Sequence, residues 1–221
     1  MLTQRGTVLA LTIDQIVTRW LYLCGKRKLA DLDEYARGRG VAPLVCPPIY
    51  YLLHEHNGGK DPSAPDPADR WQNPGSTFVN RTADCVAAVA WGQGWDRYQP
   101  QRFNVPGYEG WINTDSARWE AANRGECFER IARPEPGAAI VYASDPQHHS
   151  HGIPVGHIGG ITAYHLAEWN PADPACWEAI EVANIAAYKN PDDTPAQANR
   201  LTTGAHWQGK DAWFLRSIMK P

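Results

Sequence analysis

The chain has 221 residues, 43% apolar and 20% charged, with a net charge of −3. That supports a folded domain with a substantial extension and excludes wholesale disorder. No Lys/Arg stripe stands out, so nucleic acid is not the expected partner, and no apolar stretch approaches the roughly 20 residues that span a bilayer.

Nineteen Gly and eighteen Pro predict many turns. Ten Trp predict either a Trp-built core or a groove that stacks flat ligands. No secretory signal is expected in the first residues, because Asp14, Gln15 and Arg19 break the apolar run and no small-residue cleavage site follows. The expectation is synthesis in the cytoplasm, with any role at the cell wall or periplasm requiring delivery by another route. Thr12 can cap a helix over 12–37, in which Ile13, Ile16, Val17, Trp20, Leu21 and Leu23 recur at helical spacing and Gly38 and Gly40 end the pattern. Arg19, Lys26, Asp33 and Arg37 lie on its charged face, so this helix either packs on the domain or docks on a secretion apparatus, a phage particle or an immunity partner. Residues 49–54 read as a short helix or a strand, and 57–76 as loop. The chain therefore divides into a helical extension with a Pro/Gly-rich linker, 1–76, and a second domain, 77–221.

Thr82 or Asp84 can cap a helix that starts at Cys85, runs through CVAAVAWGQG and ends at Gly92 or Gly94. Residues 95–125 are aromatic and irregular, with a helix around 114–124. Strands are predicted at 138–142, 156–164, 177–184 and 212–218. A polar, His-rich loop fills 143–155 and another loop 189–200. The plan is α+β, an antiparallel sheet behind a helix.

Five Cys (24, 46, 85, 127 and 176) are widely spaced with no CxxC pair, which excludes zinc-ribbon and thioredoxin motifs and fits no disulfide framework. Each reads as a small buried hydrophobe, except that Cys85 opens a helix. There the free N–H groups and the macrodipole favour an anion and lower a thiol pKa. A thiolate needs an imidazole beside it, and His157, opening the strand HIGGIT, is the best candidate. Its other ring nitrogen needs an orienting acceptor. Asp84 is expected to point away from the sulfur, since a carboxylate beside it raises the thiol pKa.

TADCVAAVAW resembles the nucleophile segment of the NlpC/P60 and CHAP cysteine peptidases, PEPGAAIVY is similar to their strand after the Pro-Gly turn, and VGHIGGIT to their His-bearing strand. The resemblance covers about 77–218. It implies a papain-like fold and hydrolysis of amide bonds in peptidoglycan through a thiolate and an acyl-enzyme. Cys85 would be the nucleophile, His157 the general base and Glu181 its orienter. N–H groups near Cys85 would help form the oxyanion hole. Ala87 and Ala138 depart from the family's Gly and Asp. Glu181 and Asn184 lie three apart, so on a regular strand they face opposite sides. Glu181 is the choice, because it matches the third position and a carboxylate stabilises an imidazolium better than an amide does.

The other candidates are peripheral. Trp91, Trp95, Tyr98, Tyr108 and Trp111 follow the nucleophile helix and form either core or a groove wall for glycan or stem peptide. Trp91, Trp111, Asn113 and Asp115 are the substrate-binding candidates. His148, His149 and His151 have no standard zinc spacing and no completing carboxylate or Cys, so they read as a solvated loop or a lid, and no metal or cofactor is expected. Two rival readings remain: a wall-binding module that kept the fold without activity, and an amidase or acyltransferase of the same fold acting on another substrate.

Overall fold

Thr12 caps the first helix as its sequence predicts: its side chain accepts from the Gln15 N–H and its own N–H donates to Gln15 Oε1. The computed structural model describes residues 11–32, 50–51, 82–83, 85–95, 101–108, 110, 112–150, 153–186 and 199–219. Helix α1 spans Ile13–Leu23, well short of the expected 12–37. Gly25, at φ 71°, ends it: the Gly25 N–H bonds Tyr22 O and the Lys26 N–H bonds Leu21 O, a Schellman pair. A 3₁₀ turn follows at Leu29–Asp31, and the expected stop at Gly38 and Gly40 lies outside the described residues. Arg19, expected on a solvated face, is fully buried and donates to Trp91 O at 3.2 Å.

Two short strands, β1 (Tyr50–Tyr51) and β2 (Thr82–Ala83), pair in parallel. Helix α2, Cys85–Gln93, starts at the predicted residue, and Gly94, at φ 77°, closes it. Every residue of α2 is buried, so it is covered on all sides. Helix α3, Thr114–Asn123, is capped by a reciprocal Asn113–Ser116 pair. Strand β3, Phe128–Ile131, was not expected from sequence. It is preceded by a turn that Glu120 organises. This carboxylate, 1% exposed, accepts the N–H groups of Glu126, Cys127 and Phe128 at 2.7–2.8 Å.

Strands β4 (Ala139–Ser150) and β5 (Ile153–Tyr164) form a long hairpin. The segment read as a polar loop, 143–155, is paired through much of its length, with register shifts between Tyr142 and Asp145 and between Asp145 and His149. Helix α4, Pro174–Glu178, replaces the first part of the strand predicted at 177–184. Asp173 caps it and Pro174 occupies its first turn, where a missing N–H costs nothing. Strand β6 then runs Ile180–Ile185, β7 Asn199–Thr203 and β8 Trp213–Ser217. Six strands make one antiparallel sheet in the order β3-β8-β4-β5-β6-β7. The architecture is α+β. No helix among the described residues is long and apolar enough to cross a membrane.

Alternation along the strands sorts two cores. On one face Val141, Ile158, Ala183, Ile185 and Leu215 pack with α1 and α2, and Cys85 belongs to this core. Trp20 of α1 is wedged between helix and sheet: a Cβ at Gly92 would lie 1.9 Å from its indole nitrogen, and one at Gly160 2.4 Å from its ring. Trp20, Tyr22 and Leu23 thus share one core with the 77–221 region. On the other face Ile140, Tyr142, Ile161, Val182, Trp207 and Phe214 pack with α4 and the 3₁₀ turn Gly204–Trp207.

Candidate active site

His157 projects from the second face. Register pairs it with Tyr142, and the alternate residue Ile158 pairs with Val141 on the first face. Its neighbour Gly156 lets α3 approach closely, since a Cβ there would lie 2.3 Å from Thr114 Oγ1. The imidazole is 6% exposed and lies over the Trp207 indole, with centroids 5.4 Å apart and planes at 21°. Its Nε2–H donates to Asn184 Oδ1 at 2.7 Å. With that nitrogen committed, Nδ1 holds the lone pair that can accept a proton. Burial pushes the imidazole pKa down to about 4, against the bond to Asn184, and the nearby His206 and Lys210 add to the fall. At neutral pH the ring is a neutral base.

The orienting acceptor is therefore Asn184 rather than Glu181. Asn184 alternates in phase with Ile180 and Val182 of the second core, 3% exposed beneath the histidine. Glu181 points from the first face, where its Oε1 accepts the Thr162 hydroxyl at 2.6 Å. The two residues face opposite ways, as their spacing requires, but the register of β6 turns the amide toward His157.

Cys85 sits at the first residue of α2, 4% exposed, in the core on the first face. The ring neighbours of His157 are Tyr142, His206 and Trp207. Of the residues expected to bind substrate, Trp91, Asn113 and Asp115 are described. Trp91 is fully buried against Tyr22, with centroids 6.4 Å apart, and walls no groove. Asn113 spends its side chain on capping α3. Asp115 Oδ1 accepts the Ser144 N–H at 2.6 Å and fixes β4 to α3. Trp111, Tyr98 and Asp84 lie outside the described residues.

Of the histidine cluster, His148 and His149 fall on β4 with their side chains outside the described set, and His151 lies outside it altogether. No group of three or more His, Cys, Asp or Glu able to hold a metal is found among the described residues. Cys24, Cys85, Cys127 and Cys176 are buried thiols outside any disulfide, and burial together with the nearby Glu120 pushes the Cys127 thiol up to about 11. Cys46 lies outside the described residues.

The residues that sequence reasoning missed are Tyr142, His206, Trp207 and Lys210. The Tyr142 hydroxyl lies 3.4 Å from His206 Nε2, and Lys210 Nζ lies 3.1 Å from the same nitrogen. His206 stands edge-on to His157 at 5.4 Å. Only the adjacency of His206 and Trp207 before Gly209 signals them in sequence. Comparison with protein-family models, with curated proteins and with solved structures yields no match to this chain.

Proposed function

We propose that the protein is a cysteine hydrolase that cleaves amide bonds in bacterial cell-wall peptidoglycan, on a papain-like plan. The observation that carries this reading is the His157–Asn184 hydrogen bond under Trp207. It holds one tautomer and leaves Nδ1 as a neutral base, which is what activation of a thiol requires. The resemblance of TADCVAAVAW and VGHIGGIT to the NlpC/P60 and CHAP segments supplies the partner, Cys85 at a helix N-terminus, where the free N–H groups favour a thiolate. In the reaction His157 takes the thiol proton and the sulfur attacks the carbonyl carbon. The imidazolium returns the proton to the leaving amine, and water then hydrolyses the acyl-enzyme with His157 as base. Asn184 is a positioning residue, holding the ring through Nε2.

The burial of Cys85, 4% exposed, favours a second reading, a module that binds the wall without cleaving it. Digestion of purified peptidoglycan, with mass spectrometry of the fragments, separates the two. The first reading predicts amide-cleaved fragments from the wild type and none from Cys85→Ala. Fragments from both would remove Cys85 as nucleophile, and binding without fragments from the wild type would establish the second reading.

A further inference from the structure

Among the described residues, Trp119 is the tryptophan that stands open. Trp20, Trp91, Trp95, Trp177 and Trp207 are buried, and Trp169 packs edge-on against Trp177 and Phe214. Arg118 and Arg130 each place a guanidinium over the Trp213 ring, at 4.1 and 3.8 Å. The Trp119 indole is 38% exposed, with no ring or guanidinium packed on it among the described residues. One exposed aromatic needs no explanation by itself. This one lines a cleft of about 480 Å³ between α3 and the Lys210–Asp211 segment, a volume in the range of small-ligand sites. The small side chains of Ala122, three residues along the helix, and Ala143 of β4 share that lining.

The rest of the lining both donates and accepts. The Asp211 side chain is 77% exposed. Its two oxygens take one hydrogen bond each, from Arg118 Nη2 and Trp213 Nε1. The Arg118 bond holds its carboxyl below the ordinary value, so it is an acceptor with lone pairs left over. Lys210 has three N–H groups and touches His206 at Nε2 alone, at 3.1 Å, so at least two remain whichever tautomer His206 adopts. The Ser144 N–H is taken by Asp115, and what that residue brings to the cleft is its hydroxyl, donor and acceptor at once. An anion here would have to sit beside the exposed Asp211 carboxylate. A hexose suits every part of the lining: the C–H groups of one ring face are apolar and flat, and the hydroxyls at its rim donate and accept.

We propose that this cleft holds a sugar ring of the glycan strand, its C–H face on the Trp119 indole and its hydroxyls on Asp211, Lys210 and Ser144. The proposal rests on the reading of the wall as substrate and names the part of the wall that is gripped. Tyr142 lines the same cleft and its ring centroid is 6.1 Å from that of His157, so a sugar held here lies beside the candidate base.

The probe is the β-linked tetramer of N-acetylglucosamine, which carries no stem peptide, titrated by calorimetry into the full wild-type chain. Saturable binding at millimolar sugar is expected. Trp119→Ala should weaken it about tenfold, the scale of one aromatic contact. Trp119→Leu should lose as much, being apolar but not flat, and Trp119→Tyr should keep most of the affinity. Absence of binding at millimolar sugar, undiminished binding in Trp119→Ala, or equal binding by Trp119→Leu and Trp119→Tyr would each overturn the proposal. Should the variants fail to fold, the indole N–H resonances of the wild type decide: that of Trp119 should shift on adding the tetramer and that of Trp169 should not, and the reverse would overturn it. Tetramer binding by a chain that leaves the wall uncut would keep this inference and remove the hydrolase. Wall digestion without tetramer binding would do the opposite.

Discussion

The two faces of the sheet are built to different ends. The face that carries α1 and α2 is closely fitted: Trp20 fills a slot that only glycine at 92 and 160 leaves open, and the polar side chains buried there, Arg19, Gln93 and Asn199, donate to the backbone carbonyls of Trp91, Gly137 and Leu23. The opposite face buries polar groups beside its apolar ones. His157, Asn184 and Trp207 sit there, with Tyr142, His206 and Lys210 at the margin. A buried imidazole and a buried amide, paired with each other, add less to stability than apolar side chains of the same size would. On this face the buried side chains bond each other rather than the backbone, and Cys85 lies in the core on the other face.

The sharpest way to break this contrast is to remove one group from each face. If Cys85 and His157 act together, Cys85→Ala and His157→Ala should each lower turnover on purified peptidoglycan by at least about 10³-fold, and the double variant should fall no further. Additive losses would mean that the faces act independently. Stability should respond in the other sense. Gly160→Ala, which drives a Cβ into Trp20, should cost roughly 2–3 kcal/mol in urea unfolding, the scale of overpacking. Gly159 faces Val182 and Trp207, so Gly159→Ala tests whether the second face is as unforgiving; a Cβ there would lie 2.5 Å from Val182.

The pH dependence sharpens the polar face. His157 has its pKa lowered to about 4 in the folded chain, against about 6.5 unfolded. Between these values the unfolded chain binds the extra proton, so stability rises with pH across the window and is complete above about pH 6.5. As pH falls from 6.5 to 4, the wild type should lose up to roughly 3 kcal/mol from this group, read as a falling Tm. His157→Gln should flatten that fall. The smallest expected contrast lies on β6. Asn184→Ala should lower kcat about tenfold or more, whereas Glu181→Gln, at a carboxylate that accepts the Thr162 hydroxyl, should stay within about twofold. The reverse result would return the orienting role to Glu181.

The helix starts were legible because their signals are local. Thr12 with Gln15, Asn113 and the start at Cys85 can each be read from the chain. So was the end of α1, in principle: Gly25 marks it, but the alternating charges of 26–37 extend the helical pattern past it. The hairpin 139–164 was read as two strands and a loop because Pro146, Pro154 and three histidines look like loop, while the pairing that orders them is supplied across the hairpin. FERI at 128–131 carries two charges and no period. It is a strand because β8 and Glu120 place it. The Asp173–Pro174 cap was present in the sequence, but the apolar Trp177 and Ile180 read as strand. For the site, sequence spacing showed that Glu181 and Asn184 oppose each other; which of them meets His157 follows from register across β5 and β6.

The most direct measurement is the alkylation rate of Cys85 by iodoacetamide as a function of pH, in the wild type and in His157→Ala, with the other cysteines replaced. A thiol activated by His157 titrates well below the usual 8.5 in the wild type and moves up by a unit or more in His157→Ala. Coincident profiles in the two proteins, or a thiol inert until the chain unfolds, would contradict the account and leave Cys85 as a core residue.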